Sequence, residues 1–117
     1  MPLATWQEQL RRGTLDMAVL LAVAPGPRYG LQIIRHLEEF TDLVITEGTI
    51  YPILARLARE GLLVSEWVSD EAPHPRKYYR LTSRGQARLA QMCAEFRQFT
   101  GKIHQLMKAT GERHEAE

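Results

Sequence analysis

Glu47-Gly-Thr-Ile-Tyr-Pro-Ile-Leu-Ala-Arg-Leu-Ala-Arg-Glu-Gly-Leu-Leu63 decides the reading of this chain. Ile50, Ile53, Leu54 and Leu57 recur at three- and four-residue steps, which gives a helix one apolar stripe. Gly48, Thr49, Tyr51, Pro52, Arg56 and Arg59 fall elsewhere on it. Thr46 suits the N-cap, where its hydroxyl accepts from an unpaired amide of the first turn. Gly61 suits the left-handed residue that closes a helix. Pro52 works against the helix, because it lacks an amide and crowds the carbonyl four residues back. That carbonyl belongs to Gly48, which adds no side chain to the crowding, so the spacing predicts a distorted but intact first turn. Amides left free at such a start make a ready phosphate site.

Working outward from this helix, the chain runs straight into an alternating segment. Leu63, Ser65 and Trp67 share one face of a predicted strand over 62–68, opposite Val64, Glu66 and Val68. Ser69 to Pro75 holds two prolines and two acids, which no strand interior accepts. Arg76 to Leu81 alternates again, with Lys77, Tyr79 and Leu81 on one face and Arg76, Tyr78 and Arg80 on the other. Cations interleaved with tyrosines suit a strand lying along a sugar–phosphate backbone. An ordinary edge strand also carries lysine and arginine, which resist aggregation. The helix placed before this hairpin favours nucleic acid.

Upstream, two helical pieces are predicted. Thr5 to Arg12 sets Trp6 and Leu10 on one side, and Leu15 to Ala24 is apolar almost all round, which signals burial. Pro25-Gly-Pro-Arg28 reads as a turn. Tyr29 to Phe40 is the next helix, with Leu31, Ile34 and Leu37 inward. It would cross the DNA backbone while the 46–60 helix enters the major groove, with Arg28 and Tyr29 at its start near phosphate. Leu43 to Ile45 is a candidate short strand against the wing. Downstream, a helix capped by Thr82 or Ser83 carries Leu89, Met92, Phe96, Phe99, Ile103 and Leu106 at heptad steps. With Leu10, these six are the candidate dimer interface. Trp6, Met17, Met92, Phe96 and Phe99 are the candidate effector pocket, being aromatic and methionine-rich.

Taken together, these motifs resemble a short regulator of the PadR family. The residues that carry the resemblance are Gly13-Thr-Leu15, Arg28-Tyr-Gly-Leu31, Glu47-Gly-Thr-Ile-Tyr-Pro52, Leu54, Arg56-Leu57, Gly61-Leu-Leu63, Pro75-Arg-Lys-Tyr-Tyr-Arg-Leu-Thr82 and Gly85. The resemblance implies a mainly α fold with a small β-hairpin: a winged helix-turn-helix over 1–82, a dimerisation helix over 83–110 and a disordered tail over 111–117. It implies a sequence-specific, homodimeric repressor of operator DNA, released by a small aromatic or drug-like ligand. It also implies that Tyr51 and the start of its helix face DNA, with Arg76 and Lys77 on the wing. Thr46, Glu47, Gly48, Thr49, Tyr51, Pro52 and Arg56 are therefore the expected recognition surface, and Arg76, Lys77 and Tyr79 the expected wing anchors. Two departures stand out. Leu31 occupies a position where the family often has a second tyrosine, and Asp70 and Glu71 make the wing tip acidic, which repels phosphate.

Composition is compatible with this reading. One domain accommodates 117 residues. The formal net charge of +1 says little, but its distribution says more. Arg76, Lys77, Arg80, Arg84, Arg88, Arg97, Lys102 and Lys108 face one acid, Glu95, over 76–108. Such a modest overall charge points to weak binding per subunit, hence a dimer. The lone Cys93 fits a reducing cytoplasm, no leader is read at the start, and no apolar run is long enough for a membrane. His36, His74, His104 and His114 are dispersed without a metal-ligand spacing, and Cys93 has no histidine partner in sequence. Neither a metal, a cofactor nor an enzyme activity is expected. The alternative function is a winged-helix protein-interaction module that never touches DNA.

Overall fold

The structure is a computed structural model that describes residues 1–41, 44–69 and 74–111. Its elements run α1 (Leu3–Val23), β1 (Arg28–Tyr29), α2 (Gly30–Thr41), α3 (Glu47–Arg59), β2 (Leu63–Val68), β3 (Arg76–Leu81) and α4 (Ser83–Leu106), which continues into a π-helical turn over Met107–Gly111. Three helices followed by a β-hairpin make a winged helix-turn-helix, and α4 leaves it as a long arm.

The core is built from one stripe of each element. Val19, Leu20, Ala22 and Val23 of α1 meet Ile33, Ile34 and Leu37 of α2, Ile50, Leu54 and Leu57 of α3, and Leu62, Leu63, Tyr79 and Leu89. Leu31, expected inward, is 37% exposed instead, and Ile33 takes the buried place on α2. The two predicted pieces at the start are one helix. Gly13 costs a helix only about 1 kcal/mol, and the Thr14 hydroxyl donates back to the carbonyls of Leu10 and Arg11, so the turn-like pair does not interrupt it.

α3 forms as its sequence indicates, with Pro52 inside it. It closes in a double-bonded C-cap. Gly61 adopts φ 78°, its amide donates to Ala58, and the Leu62 amide donates to Leu57. The start differs from expectation. Thr46 occupies the N-cap, but its hydroxyl lies 3.1 Å from the Thr49 hydroxyl and caps no amide.

The hairpin has the expected register, with Leu63 opposite Leu81, Ser65 opposite Tyr79 and Trp67 opposite Lys77. Its third strand is not Leu43–Ile45. Val44 and Ile45 lie outside any strand, and Leu43 is outside the described residues. Arg28 and Tyr29 fill that place instead, pairing antiparallel with Tyr79 and Tyr78 in the order β1-β3-β2. They are thus an edge strand and not the first turn of α2. Glu38 is half-buried and accepts a bond from the Ile45 amide, steadying the entry to α3.

Thr82 fastens the arm to this body. Its hydroxyl accepts from the Gly85 amide at 2.9 Å and donates to the Gly61 carbonyl at 2.6 Å. Gly85 lies so close that a Cβ there would fall 2.0 Å from the Leu62 carbonyl oxygen. Beyond Cys93 the arm leaves the core. The longest dimension is 59 Å and the radius of gyration 17.2 Å, against about 13 Å for a compact chain of this length.

Candidate nucleic-acid interface

α3 presents three longitudinal faces outside its core stripe. Gly48, Pro52, Ala55 and Arg59 follow one another at steps of four, three and four, and all are exposed. They form its outermost ridge. Thr49, Ile53 and Arg56 flank the ridge on the α1 side, where they line a recess with α1. Tyr51 flanks it on the wing side. Thr46, Glu47, Gly48, Thr49, Tyr51 and Pro52 are therefore gathered and accessible at the start of one helix. Arg59, at the far end of the ridge, is an exposed cation that sequence reading left out, although its spacing from Gly48 and Pro52 carries the signal.

Tyr51 is held from below. Its ring lies against the backbone of Gly30, where an added Cβ would stand 2.5 Å from the hydroxyl oxygen and 2.6 Å from Cε1 and Cζ. Partial burial, and secondarily the Glu47 carboxylate, raise its pKa above the ordinary tyrosine value. Tyr51 is thus protonated at neutral pH and can donate a hydrogen bond.

Tyr79 departs from the expected wing anchor. It is 6% exposed and belongs to the core, because its strand face is the one turned toward the helices. Burial first, and the neighbouring Tyr51 second, raise its pKa. It supports the groove floor and does not reach outward. The cations beside it do. Arg76 places its guanidinium 4.6 Å from the Tyr29 ring centre, and Tyr29 itself packs edge-on against Tyr78. Lys77 holds its ammonium 5.8 Å from the Trp67 ring centre. Trp67 is 65% exposed and was not among the sequence candidates. Tyr29, Tyr51, Trp67, Arg76 and Lys77 together line a groove of about 440 Å³ between the wing and α3. Arg28, also expected near phosphate, sits half-buried beside Tyr79 in the edge strand. The wing-tip acids Asp70 and Glu71 lie outside the described residues.

Arg56 does not point freely outward. Its Nη2 donates to the Asp16 carboxylate of α1 at 2.7 Å, with Glu60 at 3.5 Å on its other side. The Asp16 bond and charge hold its pKa above the ordinary arginine value.

The remaining candidates divide between core and surface. Leu89 is 8% exposed and packs inside its own domain, which corrects its place in the expected intermolecular seam. Heptad spacing registers an apolar stripe without telling which body covers it. Past Met92 the stripe is uncovered: Phe96 and Ile103 are 40% exposed, Phe99 64% and Leu106 61%, with Leu10 of α1 at 54%. Met17, Met92, Phe96 and Phe99 line an open groove of about 350 Å³ between α1 and α4. Trp6 is not part of it. Among the described residues no histidine, cysteine and carboxylate side chains converge on a common metal position, and no helix is long and apolar enough to cross a membrane.

Comparison with known proteins agrees with this geometry. Residues 19–91 match the model of the transcriptional regulator PadR-like family. A PadR family transcriptional regulator from Eggerthella lenta DSM 2243 is 34% identical and superposes with a TM-score of 0.81 over 90% of this chain and 91% of that one. A transcriptional regulator from Clostridium thermocellum is 30% identical, with a TM-score of 0.75 over 83% of this chain and 93% of its own. An uncharacterised protein of Lysinibacillus sphaericus is 31% identical over 73% of this chain and 80% of its own length.

Proposed function

This chain belongs to the PadR-like family of transcriptional regulators, and from that premise we propose that it acts as a homodimeric repressor. Two recognition helices dock on an operator, and a small aromatic ligand between α1 and α4 releases them. The observation that carries the reading is the accessible ridge of α3, flanked by the wing cations. A helix start with exposed polar side chains approaches base edges in the major groove. Arg76 and Lys77 neutralise phosphates beside it, and the protonated Tyr51 hydroxyl donates to a phosphate oxygen.

The dimer follows from what the monomer leaves uncovered. Trp6, Leu10, Phe96, Phe99, Ile103 and Leu106 place large apolar surface in solvent along two neighbouring helices, and a second copy related by a two-fold axis buries it. Met17, Met92, Phe96 and Phe99 supply apolar, deformable walls for a flat ligand. The same side chains then serve subunit contact and ligand contact, so a ligand there changes how the two subunits sit. The domain division is 1–82 for DNA and 83–110 for pairing; of the expected tail over 111–117, residues 112–117 lie outside the described residues. A regulator of this type works in the cytoplasm.

The test is binding to the DNA immediately upstream of the gene, measured over a range of salt concentrations. An inverted repeat should be bound with an affinity that falls linearly with salt on logarithmic axes. Salt-independent binding, or none, would overturn the reading and favour a protein-interaction module.

A further inference from the structure

The recess between α1 and α3 carries two cations, Arg11 and Arg12, that the recognition surface described so far does not use. They line it together with Arg56, Thr46 and Thr49 of α3 and its start, around about 360 Å³. This is the opposite flank of α3 from the wing. A helix seated in the major groove runs between two sugar–phosphate strands, and the wing attends to one of them.

We propose that this recess is a second phosphate-binding site, which takes the backbone of the other strand, and that Asp16 occupies its arginine when DNA is absent. The proposal rests on the DNA-binding reading above. The α1 residues concerned sit at positions 8, 11, 12, 15 and 16, one helical face, while Gly13, Thr14 and Met17 turn to the α4 groove. Both carboxylates of the recess stand beside its guanidiniums. Asp16 bonds Arg56 at 2.7 Å, and Glu8 lies 3.7 Å from Arg12. Carboxylate and phosphate each offer a guanidinium a pair of anionic oxygens to bond, so a phosphate oxygen can take the place of the Asp16 oxygen without rebuilding the site. The Asp16–Arg56 side chains are 36% and 40% exposed, and pairs that open are weak, so exchange is cheap. Asp16 is a positioning residue: it keeps Arg56 extended toward α1 and competes with the strand.

Binding to a random-sequence duplex, followed by fluorescence anisotropy against salt, isolates this term, because each phosphate contact contributes about 0.9 to the logarithmic slope. Arg11→Gln with Arg12→Gln should flatten the slope by up to about two per bound subunit while circular dichroism stays that of the wild type. Asp16→Asn should tighten binding to every duplex severalfold, and that gain should vanish when Arg56→Gln is added. A wild-type slope retained in the Arg11/Arg12 variant, or weaker binding by Asp16→Asn, would overturn the second site and leave the recognition helix and wing untouched. Absence of salt-dependent binding by the wild-type chain would remove the DNA reading and this proposal together.

Discussion

Gly30→Ala separates the recognition surface from the stability of the fold with a single methyl group. The new Cβ would stand 2.5 Å from the Tyr51 hydroxyl oxygen, and ordinary contact begins near 3.4 Å, so the tip of the ring must retreat by about 0.9 Å. The three nearest atoms all belong to the outer end of one 40% exposed side chain. Gly30 opens α2 with an ordinary backbone conformation, and alanine is favoured over glycine in helices by up to about 1 kcal/mol. The melting temperature should therefore stay level or rise slightly. DNA affinity should not. A hydrogen bond to a charged acceptor contributes about 1.5–3 kcal/mol, and each 1.4 kcal/mol is a factor of ten, so losing the Tyr51–phosphate bond weakens binding about 10- to 100-fold. Tyr51→Phe should reproduce the loss, and the double variant should add nothing further. Thermal denaturation and anisotropy on one duplex measure both quantities. Wild-type affinity in Gly30→Ala, or an additive double variant, would refute the idea that Gly30 acts through Tyr51.

The same substitution at Gly85 should have the reverse outcome, because its Cβ meets the Leu62 carbonyl at 2.0 Å, a backbone atom that cannot step aside. Gly85→Ala should destabilise by at least about 1–3 kcal/mol, read as a depressed denaturation midpoint; an unchanged midpoint would mean that the contact relaxes freely. Phe96→Glu should yield monomers by sedimentation, since it puts a charge into the uncovered stripe, and a persistent dimer would argue against pairing through α4. Leu89→Ala should instead cost about 2–5 kcal/mol of stability, while the folded fraction keeps the wild-type association state. Arg76→Ala with Lys77→Ala should lower the salt slope of DNA binding by about two per bound subunit; an unaltered slope would take the wing off phosphate.

The recognition helix was legible because its signals are local. The stripe of Ile50, Leu54 and Leu57, the glycine at 61 and the alternation of 63–68 and 76–81 each act within a few residues. What escaped the sequence depends on distance along the chain. Asp16 and Arg56 are forty positions apart, and no periodicity links them. Arg28 and Tyr29 become a strand only because β3 offers an unpaired edge, and two residues are too few to show alternation. Tyr79 was assigned to a strand face correctly, but the side on which the helices lie is a tertiary fact. Leu89 shows the same gap from the other direction, since its spacing is shared by a residue in its own core and one at a subunit contact. At 13–14 a glycine and a threonine suggested a break that neighbouring helical turns overruled.

The Thr82 hydroxyl, bonded at once to the end of α3 and the start of α4, has a mechanical consequence. It ties the reading element directly to the long arm, as a pin ties the blade of a crank to its handle. In the proposed dimer, a tilt imposed far out on the arm would reach the blade through this joint, and the separation between two such blades would be the gauge by which an operator senses whatever wedges the arms apart.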